Sequence, residues 1–184
     1  MSRQTFENLL RRLRAELTSL SETERRWLAG QLAEIATVQH ELDALFHAAT
    51  GPALCAGCSG ACCDCGRHHL TLTNLLGYLL ADEEPPHPDF TRACPFLGEQ
   101  GCRLPVARRP YNCITFFCEG LDARLDPDQR SRLSELDRRL RAAYQAVVER
   151  YPAASLRGLW IALERHGQNA LLLPPAPAAV VDSR

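Results

Sequence analysis

The sequence predicts a mainly α fold in which helices flank an irregular, cysteine-rich centre. Two leucine-rich stretches with helical periodicity, one at each end, carry the first half of that expectation. The cysteines carry the second half: all nine fall between Cys55 and Cys118. A mere taste for cysteine as small apolar filler would scatter it over the helices as well.

Leu9, Leu10, Leu13, Leu17 and Leu20 recur at steps of three and four, which predicts a helix over 4–19. Ser21 and Glu24 then form a capping-box pattern, and Leu28, Leu32, Ile35, Leu42, Leu45 and Phe46 extend a second helix to about 49. Gly51 and Pro52 are expected to stop it. In the centre, Thr71 to Glu84 reads as one helix capped by Thr73, and the "PPHP" run after it reads as a loop. Asp126 as cap and Pro127 in the first turn open a long helix whose face carries Leu133, Leu136, Leu140, Tyr144, Val147 and Val148. Ser155 to His166 makes the last helix, ending at Gly167. Trp27, Trp160, Phe46 and Tyr144 lie on apolar faces and are expected in the core. The division that follows is a single domain over 1–167, with N-terminal helices at 1–50, a cysteine-cluster core at 51–120 and C-terminal helices at 121–167. A disordered tail is expected over 168–184, where "PPAPAAVVDSR" is rich in Pro and Ala.

A chain of 184 residues with 46% hydrophobic content can bury a core without disulfides. A net charge of -1 offers no general attraction for nucleic acid or an anionic membrane, so neither is an expected partner. All 21 basic residues are arginine, which removes lysine chemistry such as Schiff bases. The start is charged throughout and no window of about twenty apolar residues occurs, so the expected location is the cytoplasm. In a reducing compartment, an odd number of clustered cysteines favours metal binding or a catalytic thiol over disulfides.

Cys55, Cys58, Cys62 and Cys63 spell C-x2-C-x3-C-C, and Cys94, Cys102, Cys113 and Cys118 form a second group. Gly57 and Gly60 would let backbone N–H groups turn toward sulfur, a device shared by structural zinc and iron–sulfur sites. Adjacent side chains point in different directions, so Cys62 and Cys63 serve two metals, or two irons of a cluster, more easily than one ion. A polynuclear centre is therefore favoured over an isolated zinc.

The spacing C-x2-C-x3-C-C, then Leu72-Thr73, "CPFL", "GC", and "RP" with a cysteine three residues after the proline and a Phe beyond it, resembles the YkgJ-type cysteine-cluster family. The resemblance covers roughly 51–120. It implies a zinc- or iron-chelating domain, often described as an iron–sulfur protein, with metal ligands at Cys55, Cys58, Cys62, Cys63, Cys94, Cys102, Cys113 and Cys118. The chain departs from the family pattern at Leu104-Pro105, where Ile-Tyr is usual, and at Asn74, where an acidic residue often follows the Thr. Cys65 is additional to the pattern.

Other readings compete. Cys58, Cys62 and Cys65 also give the C-x3-C-x2-C spacing of radical S-adenosylmethionine enzymes, but the alternating strands of their barrel are not visible. The flagellin lysine methylases resemble the family in their cysteine cluster, which leaves a methyl-transfer enzyme as a third hypothesis, but they are much longer, and no S-adenosylmethionine-binding fold is visible in this sequence to support it. His68 and His69 could add an imidazole ligand or simply belong to a polar loop; His87 and His166 read as surface residues. Arg67, Arg103, Arg108 and Arg109 could offset thiolate charge or be solvated. Asp82, Glu83 and Glu84 read as a solvated helix end. The expected function is cysteine-cluster metal binding, with an iron–sulfur cluster as cofactor and zinc as its alternative, in electron transfer, redox sensing or metal handling. A structural zinc module that presents helices to a protein partner is the second hypothesis.

Overall fold

Helix α1 (Arg3–Ser19) opens on Ser2, whose hydroxyl accepts from the Thr5 N–H at 3.1 Å, and it buries Phe6, Leu9, Leu10, Leu13 and Leu17 along one face. The computed structural model describes residues 2–58, 61–99, 101–167 and 169–172, without the side chains at 61, 64 and 65. Among these residues the protein is mainly helical, as the periodicities predict, with eight α-helices and one two-stranded sheet.

Helix α2 (Glu22–Ala48) is the spine: the helices Gly51–Gly57, Leu72–Leu80, Tyr111–Ile114 and Pro127–Arg150 and the 3-10 turn Val106–Arg108 all pack against it. Its Ser21 cap accepts from the Glu24 N–H at 3.2 Å. The Glu24 carboxylate does not complete the expected box, because it is bound by Arg150 and by the Tyr151 hydroxyl. The main partner of α2 is α7 (Pro127–Arg150), capped by Asp126 through the Gln129 N–H at 2.8 Å. Leu28 and Leu42 of α2 and Leu136, Leu140, Tyr144 and Val147 of α7 are fully enclosed, and each leucine so buried contributes about 1.5–3 kcal/mol. Arginines lace the edge of this pair: Arg139 reaches Glu34 at 2.8 Å and Glu41 at 3.3 Å, while Arg132 also binds Glu41.

The centre is more regular than expected. Gly51 and Pro52 do not merely stop α2: after Thr50, held at φ 56°, they begin a new helix, α3 (Gly51–Gly57), that carries Cys55. A 3-10 helix covers Ala61–His68, so the C-C pair is helical. Helix α4 (Leu72–Leu80) ends four residues before Glu84, and its cap is Thr71 rather than Thr73. The Thr71 N–H and hydroxyl both donate to Asn74 Oδ1, at 2.9 and 2.7 Å. Strands β1 (Leu97–Gly98) and β2 (Gly101–Cys102) make a small antiparallel hairpin that pairs Leu97 with Cys102. Helices α5 (Tyr111–Ile114) and α6 (Glu119–Asp122) are single turns.

The last helix, α8, spans Leu159–His166; the chain from Ser155 to Gly158 turns before it starts. Gly158 has φ 100°, and a Cβ there would lie 2.0 Å from the His68 carbonyl oxygen, so only glycine lets the Leu159 N–H reach the Leu70 carbonyl at 2.6 Å. Two residues of the expected tail, Leu171 and Leu172, are buried, and both of their N–H groups donate to Glu16. The Pro/Ala-rich run after them lies outside the described residues. Of the four aromatics expected in the core, Tyr144 is fully buried, Trp27 and Trp160 are half-buried against the main core, and Phe46 is half-buried against a small cluster of Ala49, Leu121 and Leu125. Trp160 Nε1 donates to the Arg67 carbonyl at 3.1 Å, and the Arg150 guanidinium stacks 4.7 Å from the centre of the Trp27 ring. No helix among the described residues is long and apolar enough to cross a membrane.

Candidate metal centre

The eight cysteines of the two motifs are free thiols on short elements; Cys65 has no described side chain. Cys55 lies in α3 and Cys58 is its C-cap, with the Cys58 thiol donating to the Cys55 carbonyl at 3.5 Å. Cys62 and Cys63 follow in the 3-10 helix, Cys102 ends β2, Cys113 lies in α5 and Cys118 is the N-cap of α6. Gly60 lies outside the described residues. Around Cys94 the backbone N–H groups of Phe96 and Leu97 favour the thiolate, an effect that burial outweighs. The "CPFL" turn forms this knuckle, with Leu97 N–H 3.2 Å from the Cys94 carbonyl.

Gly66 places the 3-10 helix against this knuckle. A Cβ at Gly66 would stand 2.8 Å from Cys94 Sγ, a distance that no side chain tolerates. Three residues on, His69 Nδ1 lies 3.3 Å from Cys113 Sγ. His69 therefore touches a motif cysteine, and burial, followed by the neighbouring His68, lowers its pKa, which favours the neutral ring. His68 is exposed.

The thiols sense one another. Burial pushes Cys113 up to about 12, helped by Cys102, Cys94 and Cys63, with Arg109 opposing; the residue is open to solvent, but protein surrounds its thiol at longer range. Cys63 is likewise pushed up to about 12, by burial first and then by Cys62, Cys94 and Cys102. Burial also raises Cys55, followed by Cys58, Cys62 and Cys118. Burial and Cys102 raise Cys94, against its backbone donors and Arg103.

The arginines act mainly as staples. Arg103 donates to the His87 and Pro95 carbonyls at 2.7 and 2.8 Å, and Arg67 to the Phe90 and Arg92 carbonyls at 3.2 and 3.4 Å. Arg109 pairs with Asp43 at 3.0 Å and Arg108 with Glu83 at 3.4 Å. Glu84 binds Arg14 at 2.5 Å, so the exposed acidic run is tied across to two other elements. The charges of Arg103 and Arg109 still lower the pKa of Cys94 and Cys113 from a distance.

Two buried polar residues hold the segment that leads to Cys113. Asn74 Nδ2 donates to the Arg108 and Arg109 carbonyls at 3.3 and 3.1 Å and to the Tyr144 hydroxyl at 3.0 Å, and Gln39 donates to the Arg109 carbonyl at 2.5 Å. The departure at Asn74 thus has a structural use: an amide caps α4 and also donates, which a carboxylate cannot do. Leu104, the other departure, fills the core. Gln39 interrupts the apolar face of α2 at a helix-facing position, and that is the one signal by which the sequence could have pointed to it.

The donors fit a thiophilic ion in kind: eight thiols, and one imidazole that touches Cys113. Among the described residues no three His, Cys, Asp or Glu side chains stand close enough to hold one ion, so ligation would draw them inward. Comparison with protein families, curated proteins and solved structures finds no match.

Proposed function

We propose that this chain is a cysteine-cluster metal-binding protein whose occupant is an iron–sulfur centre, acting in electron transfer, redox sensing or metal handling. The observation that carries the reading is that motif cysteines from three separate stretches, 55–63, 94–102 and 113–118, lie near enough for neighbouring thiols, after burial, to raise the pKa of Cys55, Cys63, Cys94 and Cys113. Such thiols stay protonated on their own, and a bound cation would supply the positive charge that lets them ligate as thiolates. A catalytic thiol would need the opposite setting, an electropositive one that depresses its pKa. A radical enzyme would need a barrel, whereas the described sheet is a hairpin of two short strands.

Bound iron–sulfur would supply one-electron chemistry at the thiolates. The chain's own part is to seat the ligands: the Phe96 and Leu97 N–H groups stabilise charge on Cys94, and His69 faces Cys113. Arg103 and Arg109 offset some of the accumulated charge. Zinc is the second reading, favoured by the N–H donors at the "CPFL" knuckle, which serve a structural zinc equally well. Protein prepared without oxygen should be brown and contain iron with acid-labile sulfide. Colourless protein with stoichiometric zinc and no sulfide would establish the second reading, and protein free of either would end both.

A further inference from the structure

We propose that the eight thiols form two separate four-cysteine sites whose boundary runs between the adjacent residues Cys62 and Cys63: Cys55, Cys58, Cys62 and Cys118 make one, and Cys63, Cys94, Cys102 and Cys113 the other. The proposal rests on the metal-binding reading above and assigns its ligands. It departs from the division that the sequence motifs suggest, because the last cysteine joins the first ones.

The two groups stand on different apolar foundations. Helix α3 packs on α6, which brings Cys55 and Cys58 beside the Cys118 cap. At Gly120 of α6 a Cβ would lie 3.3 Å from Leu54 Cδ2 and 4.0 Å from Cys118 Sγ. Leu54 and Cys118 both pack on a small cluster of Ala49, Leu121 and Leu125 that is distinct from the main core. Cys94, by contrast, packs on the main core. The hairpin ties Cys102 to it, through the Leu97–Cys102 pairing and the Arg103 N–H on the Phe96 carbonyl at 2.9 Å. Gly66 abuts Cys94, and His69 reaches Cys113, so the 3-10 helix closes this second group.

Between the groups lie Cys62 and Cys63. A 3-10 helix turns about a third of a revolution per residue, so neighbouring side chains leave its axis in different directions, whereas side chains three apart share a face. Cys63 stands three residues before Gly66, which abuts Cys94, so Cys63 lies on the face turned to the second group and Cys62 does not. A tetrahedral ion takes four thiolates and so do the common iron–sulfur clusters, so the four-and-four division holds for either occupant.

Cobalt(II) is a suitable probe, since tetrahedral thiolate ligation gives it intense absorption. Reduced, metal-free full-length chain titrated without oxygen should reach its end point at two equivalents. Cys55→Ser with Cys118→Ser, both in one group, should leave one equivalent, as should Cys94→Ser with Cys102→Ser. The crossed pair, Cys55→Ser with Cys102→Ser, should leave no site with the four-thiolate spectrum. An end point of one equivalent for the unmodified chain, or loss of both sites in a same-group pair, would overturn the division while leaving metal binding intact. No cobalt uptake at all would remove the metal-binding reading itself. Should a paired variant unfold, the end point of the unmodified chain still decides.

Discussion

Gly66 and Asn74 shape the candidate centre without offering a ligand to it. The absence of a side chain at Gly66 lets Cys94 Sγ approach the 3-10 helix. Gly66→Ala should therefore weaken cobalt binding in the group of Cys94 by about 10–100-fold, the usual cost of disturbing what supports a ligand. The other group and the helical circular dichroism should stay unchanged, and a competition titration with a chelator reads the split. At Asn74, an aspartate would keep the cap on Thr71 but turn a carboxylate toward the Arg108 and Arg109 carbonyls. Asn74→Asp should lower unfolding stability by about 1–3 kcal/mol, the penalty for buried polar groups left unpaired. Urea unfolding measures it, and an unchanged midpoint would show that the amide is not needed. Neither role is legible in the sequence, since a close approach and a buried amide depend on which segments meet. Cysteine spacing, by contrast, is local and can be read from the sequence, and the metal-binding proposal starts from it.

The long helices were legible because each repeats one signal over many residues: α1, α2 and α7 start and end within one or two residues of where leucine periodicity and their caps place them. Short elements have no such repetition. Helices α3, α5 and α6 span at most two turns, and tertiary contacts to α2 or to one another sustain them. The Ser21–Glu24 pattern shows how a local rule can lose to a distant partner: the Arg150 guanidinium and the Tyr151 hydroxyl draw the Glu24 carboxylate away and clasp the start of α2 to the end of α7. Arg150, against the opposing effect of burial and with help from Tyr151, holds the Glu24 carboxyl below its ordinary value of 4.5. A depressed carboxylate contributes stability above its unfolded pKa and loses it as the pH falls through the folded one. Glu24→Gln should thus be less stable than the native chain at pH 7, with the gap closing below pH ~4.5. Thermal melts of both proteins between pH 7 and 3 check the sign, and a gap that widens in acid would refute it.

At the scale of the whole molecule, the architecture separates a scaffold from a centre. The main buried cluster takes most of its side chains from α1, α2, α4, α7 and the turn before α8, none of which carries a motif cysteine; Phe96 and, from α5, Tyr111 and Ile114 also join it, and Cys94 packs against it. The cysteines sit on α3, the 3-10 helix, the turn at 94–97, the hairpin, α5 and α6, which bury few apolar side chains besides Phe96, Tyr111, Ile114 and Leu121. Helix α4 departs most from the expected boundaries. It lies inside the cysteine-rich stretch of sequence, yet Leu72, Leu75 and Leu76 are fully buried in the scaffold core. Metal bound as proposed would contribute its binding free energy to the folding of the centre and much less to that of the scaffold.

Hydrogen exchange of the metal-loaded chain before and after chelation tests that separation most directly. Protection should fall in 51–68, 92–103 and 111–122, and should persist in α1, α2, α4 and α7. Uniform loss along the chain would mean that metal holds the entire fold, and unchanged protection around the cysteines would mean that no metal organises them.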